Sequence, residues 1–398
     1  MKSLYDALLD AYNEIPNYNI KQDDILEKII KDDEEAKKVI ANLVPSNNYM
    51  EVFDRKIDEK RWSHSLITFL FGIVIGKFCD SFVRIWETDD YSNKDQYSLY
   101  WIWMLTSILH DSGYYSKKIV NSVNLEDIKV KYDLFDDSCQ SELKNYEEKN
   151  RKVLKYSYVQ IKNYYKYIIE YRKTLDKKNN EKNDHGILGA YEAYNALLCE
   201  IVPNKNETVK YSTSDMNHSI STVDILYCKI ACLTIAQHNI FKSNSAKSDK
   251  LYKKYHLDFL CRNSNYRINI DTPLLALMCL TDTLEFYKKL IYRKKFCKKT
   301  KKFDTSKIIT IFKQCQIEVT FDKIIIDFSN VKMKSKKDIK ILKGIERDYR
   351  GLKVWTAFNV ENKNSLFTIS LNPDYEKIKI KKDEQGSSYY DLETKSGI

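Results

Sequence analysis

Apolar residues return at helical spacing through "DDILEKIIKDDEEAKKVIANLV", where Ile25, Ile29, Ile30, Val39 and Ile40 share a face and Pro45 stops the run. Residues 1–50 are therefore expected to form two or three short amphipathic helices that pack on the rest of the chain or face a partner. From residue 51 the pattern thickens. "RWSHSLITFLFGIVIG", "YWIWMLTSILHDSGY", "VDILYCKIACLTIAQHNIF" and "TPLLALMCLTDTLEFYKKL" are apolar on most sides, as buried helices are. Stretches 51–127 and 183–295 are expected to share one helical core. Between them, 128–182 is rich in Lys, Tyr and Glu and closes on a polar loop at 176–183, the pattern of an exposed helical excursion. Its simplest reading is a solvated helical pair with tyrosines for packing; a lid over a substrate is the alternative.

The period changes after the basic run "YRKKFCKKTKKFD". "QIEVTFDKIIIDFSN", "LKVWTAFNV" and "SLFTISLN" alternate or cluster β-branched and aromatic residues, whereas "KSKKDIKILKGIERDYRGL" reads as a helix ended by Gly351. A small α+β module is expected over 305–375, followed by a frayed tail. The fold class is thus mostly α, a helical core with a helical insertion at about 128–182 and a small C-terminal α+β module. The expected boundaries are 1–50, 51–300 and 301–398.

Composition adds modest constraints. The chain has 398 residues, enough to bury a large core, and its 9 Gly and 5 Pro offer little turn punctuation, in keeping with long helices. Nine cysteines include no CxxC pair, and Cys199, Cys228, Cys232 and Cys279 sit inside apolar runs where a thiol acts as a small hydrophobe, which favours a reducing cytoplasm. No secretory leader is expected at the N-terminus, and "LITFLFGIVIG" is shorter than the roughly 20 residues a membrane span needs. A formal charge of +10 suits anionic partners such as nucleotides or nucleic acid, although general Lys, Asn, Ile and Tyr enrichment explains it nearly as well.

The chemistry concentrates where polar residues interrupt these greasy helices. His110 and Asp111 end an apolar run side by side, an arrangement costly to desolvate unless a partner such as a metal ion satisfies both. His64 lies early in one apolar helix, His185 starts another, His238 ends a third and Asp282 lies inside a fourth. A lone histidine of this kind is usually a core residue; the order of these residues points elsewhere.

His64, then His110-Asp111, then His185, His238 and Asp282 resembles the HD-domain metal-dependent phosphohydrolase superfamily over roughly residues 51–290. "RWSH" resembles its Arg-x-x-His opening, "HDSGY" its His-Asp-x-Gly turn, and "DHGILGA" the histidine motif of the HD nucleases attached to CRISPR helicases. The resemblance implies that His64, His110, Asp111 and Asp282 hold one divalent metal. It further implies that His185 and His238, with Asp111 bridging, hold a second. Members with two metals usually carry one more histidine, for which "DMNHSIST" offers His218. Mixed imidazole and carboxylate ligands suit Mn, Fe, Co, Ni or Zn better than Mg. Arg61, one turn before His64, and Lys117, after the Gly113 turn, are the expected cations for phosphate oxygens; Tyr114 and Tyr115 stand where many members carry a lysine. Thr283 and Glu285 flank Asp282, where either could orient a metal ligand from behind; helix packing and solvation explain them as well, and neither is assigned a role.

Three functions fit these residues. The first is hydrolysis of a nucleotide or cyclic nucleotide phosphoester by metal-activated hydroxide. The second is an HD-type nuclease acting on single-stranded DNA or RNA. The third is a non-catalytic HD ligand sensor, against which the intact set of candidate ligands argues.

Overall fold

The computed structural model describes residues 1–15, 24–44, 47–57, 61–78, 93–113, positions within 186–197, 222–238, 254, 261–262, 267–268, 273–291, 305–332, 336–355, 358–371, 375–382 and 388–394. The stretch 128–182, the basic run 292–304, and Lys117, His185 and His218 lie outside the described residues.

The helices are α1 (Leu4–Asn13), α2 (Ile25–Lys31), α3 (Asp33–Leu43), α4 (Asn47–Lys56), α5 (Trp62–Ile75), α6 (Asn93–Leu109), α7 (Thr222–Gln237), α8 (Pro273–Leu284), α9 (Tyr287–Ile291), α10 (Thr305–Gln314) and α11 (Lys336–Trp355). Further helical positions occur between 186 and 197. The strands are β1 (Lys2–Ser3), β2 (Cys261–Arg262), β3 (Arg267–Ile268), β4 (Gln316–Val319), β5 (Lys323–Asp327), β6 (Phe358–Lys363), β7 (Leu366–Leu371), β8 (Tyr375–Lys382) and β9 (Ser388–Thr394). The fold is mostly α with a small antiparallel sheet of order β1-β4-β5-β7-β6. Among the described residues no helix is long and apolar enough to cross a membrane.

Helices α5 and α6 lie side by side because Gly72 makes room. A Cβ there would stand 2.0 Å from Trp103 Cζ2, and the Trp103 indole instead crosses the glycine and donates Nε1–H to the Phe69 carbonyl at 3.0 Å. Helix α7 packs on α6, and α8 packs on α5, α6 and α7. Cys279 of α8 donates its thiol to the His238 carbonyl at 3.4 Å, tying the end of α7 to α8.

The N-terminal helices hold the start of α5. Helices α1 and α3 pack on it, with Leu8, Tyr12, Leu26, Ile29 and Ile40 fully buried. The first amides of a helix lack intrahelical acceptors. Arg61, the residue preceding α5, supplies none by its side chain; Asp33 Oδ1 accepts from the Ser63 amide at 2.8 Å instead, and Ser63 Oγ donates to the Ile29 carbonyl at 2.6 Å.

The sheet joins both ends of the chain, since Lys2 and Ser3 pair with Ile317 and Gln316. Burial in β5 alternates, Ile324 and Ile326 inward, as a one-sided sheet requires. Asn364 and Ser365, at φ 52° and 68°, make the two-residue turn between β6 and β7, where left-handed backbone matches strand twist. Helix α11 packs on β6 and on α8 and α9. Tyr349 donates its hydroxyl to the Leu284 carbonyl at 2.5 Å, and Asp348 pairs with Lys289 at 2.6 Å.

Two expectations change. Helix α11 does not stop at Gly351 but runs to Trp355, so "LKVW" is helical; the fully buried Leu352 anchors the last turn against a glycine penalty of about 1 kcal/mol. The tail is not frayed throughout, because Tyr375–Lys382 and Ser388–Thr394 pair as an antiparallel hairpin. The alternation in "KIKIKK" is strand periodicity.

Candidate metal centre

Two helices and one turn converge on a buried cluster. His64 comes from the first turn of α5, His110 and Asp111 from the turn that follows α6, and Asp282 from the last turn of α8. One ligand atom each from His64, His110 and Asp111 lies within 4.8 Å of the others. His64 Nε2 stands 3.4 Å from Asp111 Oδ2, and His110 Nε2 stands 3.6 Å from Asp111 Oδ1 and 3.4 Å from Asp282 Oδ1. Both imidazoles are fully buried. His238 closes the far side, its ring centroid 5.6 Å from that of His110 in an edge-on contact.

What fixes these rings is the other nitrogen. His110 Nδ1 lies 2.7 Å from the Ser107 carbonyl, His238 Nδ1 lies 2.6 Å from the Ile235 carbonyl, and His64 Nδ1 lies 3.0 Å from Glu285 Oε2. A carbonyl only accepts, so Nδ1 of His110 and of His238 carries a proton, which in the neutral ring leaves the lone pair on Nε2. A carboxylate behind the third imidazole does the same, the arrangement that orients metal-bound histidines.

The donor set is one that could hold a metal ion. His110 Nε2 is buried and makes no hydrogen bond among the described residues, though two carboxylate oxygens stand 3.4 and 3.6 Å away. Ligands bonded at about 2.0–2.2 Å to one ion lie roughly 3.0–3.5 Å apart, so these spacings are close to those an ion would need. His64, His110 and Asp111 could therefore hold an ion, with Asp282 beside them.

Charges within the cluster set its ionisation. Burial pushes the Asp111 carboxyl up, but His110, His64 and Arg61 outweigh it and hold the group well below the carboxylate range. Burial likewise opposes ionisation of Asp282, and the Lys288 ammonium reverses it. For His64, burial disfavours the cation but Asp111 and Glu285 prevail and raise its pKa. Burial lowers that of His238, with the nearby His110 adding to the effect.

Arg61 sits in the cluster, its guanidinium paired with Asp111 Oδ2. Lys117, His185 and His218 lie outside the described residues. Beyond His185, however, the chain docks on the His-Asp turn: Ser112 Oγ donates to the Gly189 carbonyl at 3.1 Å, and a Cβ on Gly189 would meet the Gly113 amide nitrogen at 2.7 Å.

Two residues gain positions that the chain alone did not assign. Glu285, 2 % exposed, backs His64, and Lys288 pairs with Asp282. Both depend on a break between α8 and α9 at residues 285–286, a stretch that reads in sequence as one continuous helix. The signal available was a lone Glu among Leu284, Phe286 and Tyr287, a buried acid that needs a partner. Comparison with protein-family models, with curated proteins and with solved structures finds no match to this chain.

Proposed function

We propose that the chain is an HD-type metal-dependent phosphohydrolase that cleaves a phosphoester of a nucleotide or cyclic nucleotide. The observation that carries this reading is the buried meeting of His64, His110, Asp111 and Asp282, with imidazole Nε2 atoms turned toward carboxylate oxygens. A divalent transition ion, when bound, supplies Lewis-acid polarisation and a water made acidic enough to act near neutral pH. The chain's own residues do the rest. His64, His110, Asp111 and Asp282 hold the ion; Glu285 and the Ser107 carbonyl keep two of the imidazoles in the ligating tautomer. Arg61, anchored on Asp111 and 18 % exposed by its side chain, offers N–H donors to a non-bridging phosphate oxygen. In the reaction a water oxygen bonds to phosphorus, the ester P–O bond breaks, and the leaving oxygen takes a proton to depart as an alcohol. Four buried free cysteines, Cys228, Cys232, Cys279 and Cys315, accord with a reducing cytoplasmic setting.

The formal charge of +10 favours a second reading, a nuclease using the same ligands on single-stranded DNA or RNA. One panel separates the two. Purified protein with Mn, Fe, Co, Ni, Zn or Mg is offered nucleoside triphosphates, cyclic nucleotides, single-stranded DNA and RNA. Metal-dependent release of product from the small substrates is the expected result; cleavage of the polymers, with affinity falling steeply in salt, favours the nuclease. Metal binding without turnover on any substrate would reject catalysis.

A further inference from the structure

Lys288 occupies an oxygen that a metal at this centre would use. Its Nζ pairs with Asp282 Oδ1, and the same Oδ1 faces His110 Nε2 at 3.4 Å. The contact is not a routine helix pair. Residues six apart on a continuous helix point away from each other, whereas neighbours are three or four apart. Lys288 reaches back to Asp282 because α8 ends at Leu284 and the chain turns before α9 begins at Tyr287. Glu285 builds that turn, its Oε1 accepting from the Tyr287 amide while its Oε2 faces His64 Nδ1 at 3.0 Å. One carboxylate therefore sets both a metal-facing imidazole and the turn that presents the lysine.

The side chains of Lys288 and Asp282 are 26 % and 22 % exposed, so the pair is shielded without being sealed. An ammonium and a divalent ion on one carboxylate oxygen repel each other, the more strongly as solvent is excluded. A flexible four-carbon stem lets the ammonium withdraw while staying at the site, where it would be a partly desolvated cation in need of an anion.

We propose that Lys288 is an exchangeable counter-ion: it competes with the metal for Asp282, and once displaced it binds the phosphate of the substrate, a step that rests on the metal-centre reading above. Arg61 and Lys288 each pair with one of the two carboxylates that would hold the ion, Asp111 and Asp282.

Calorimetric titration of the full chain tests both halves. Mn2+ should bind Lys288→Met about tenfold more tightly than wild type, because no ammonium has to leave Asp282. Inorganic phosphate, titrated into the Mn2+-loaded proteins, should bind Lys288→Met about tenfold more weakly. Lys288→Arg keeps the charge and should follow wild type in both titrations. Near-ultraviolet circular dichroism checks packing, and Lys288→Gln replaces Lys288→Met if the latter does not fold. Unchanged or weaker Mn2+ binding by the neutral variant, or unchanged phosphate binding, overturns the proposal while wild-type metal binding stands. Failure of wild type and variants alike to bind Mn2+ or Zn2+ overturns the metal-centre reading together with it.

Discussion

Glu285 and its neighbours define what single residues contribute. The carboxylate backs His64 from 3.0 Å and is 2 % exposed, so removing it leaves a buried imidazole without its orienting acceptor. Outer-shell partners of this kind are worth about 10–100-fold in metal affinity, and Glu285→Ala should lose affinity in that range by calorimetry, with Glu285→Gln losing less. An Ala variant that binds metal as wild type does would remove Glu285 from the centre. Acid should act through the carboxylates. Asp111 and Asp282 have pKa values lowered in the folded chain, so the stability they contribute is complete above their unfolded values of about 3.9 and is lost as pH falls through the folded ones. Thermal melts from about pH 7 to about pH 2 should show that acid limb, and Asp282→Asn should make it shallower. At this scale His64, His110, Asp111 and Asp282 stood out as ionisable residues in apolar helices, and their order along the chain, through the resemblance it carries, singled them out together. Glu285 and Lys288 did not, since their partners follow from a helix break that no proline or glycine marks.

Elements position the centre through close approaches. Gly189 brings its helical stretch onto the His-Asp turn, where an added Cβ would stand 2.7 Å from the Gly113 nitrogen and 2.8 Å from Ser112 Oγ. The nearer atom is backbone and cannot swing away, so Gly189→Ala should cost about 1–3 kcal/mol in denaturant unfolding and weaken metal binding as the turn shifts. Wild-type stability and wild-type metal affinity together would contradict that packing. Period explains what was readable among the elements. Buried helices and the β4–β5 hairpin announced themselves by apolar runs and alternation, whereas β8, in a stretch that reads as a frayed tail, did not. Gly351 misled because a glycine near the end of a helix reads as a stop, whereas the burial of Leu352 carries α11 onward.

The whole molecule binds its two ends to the middle. Asp33 caps the helix that carries His64, and Tyr349 satisfies the Leu284 carbonyl at the end of the helix that carries Asp282. Tyr349→Phe keeps the ring but orphans the buried Leu284 carbonyl, a change expected to cost about 1–3 kcal/mol. Because the lost bond sits beside the α8–α9 break, the same variant should also weaken metal binding; a lower melting temperature with metal affinity untouched would confine α11 to a purely stabilising role. Such long-range joins were illegible in sequence. Nothing in "MKSL" signals that Lys2 and Ser3 pair with a strand more than three hundred residues later, since a two-residue strand has no period.

Asp111 offers the most direct test, because it faces His64 on one oxygen and His110 on the other. Elemental analysis of wild type and Asp111→Asn, purified alike and checked for fold by circular dichroism, should find a stoichiometric divalent transition metal in the first. The variant, which keeps the side chain's shape and loses its charge, should have lost most of that metal and all turnover. Full metal content with full turnover in Asp111→Asn would contradict the account, leaving His110 and Asp111 as the polar end of a buried helix.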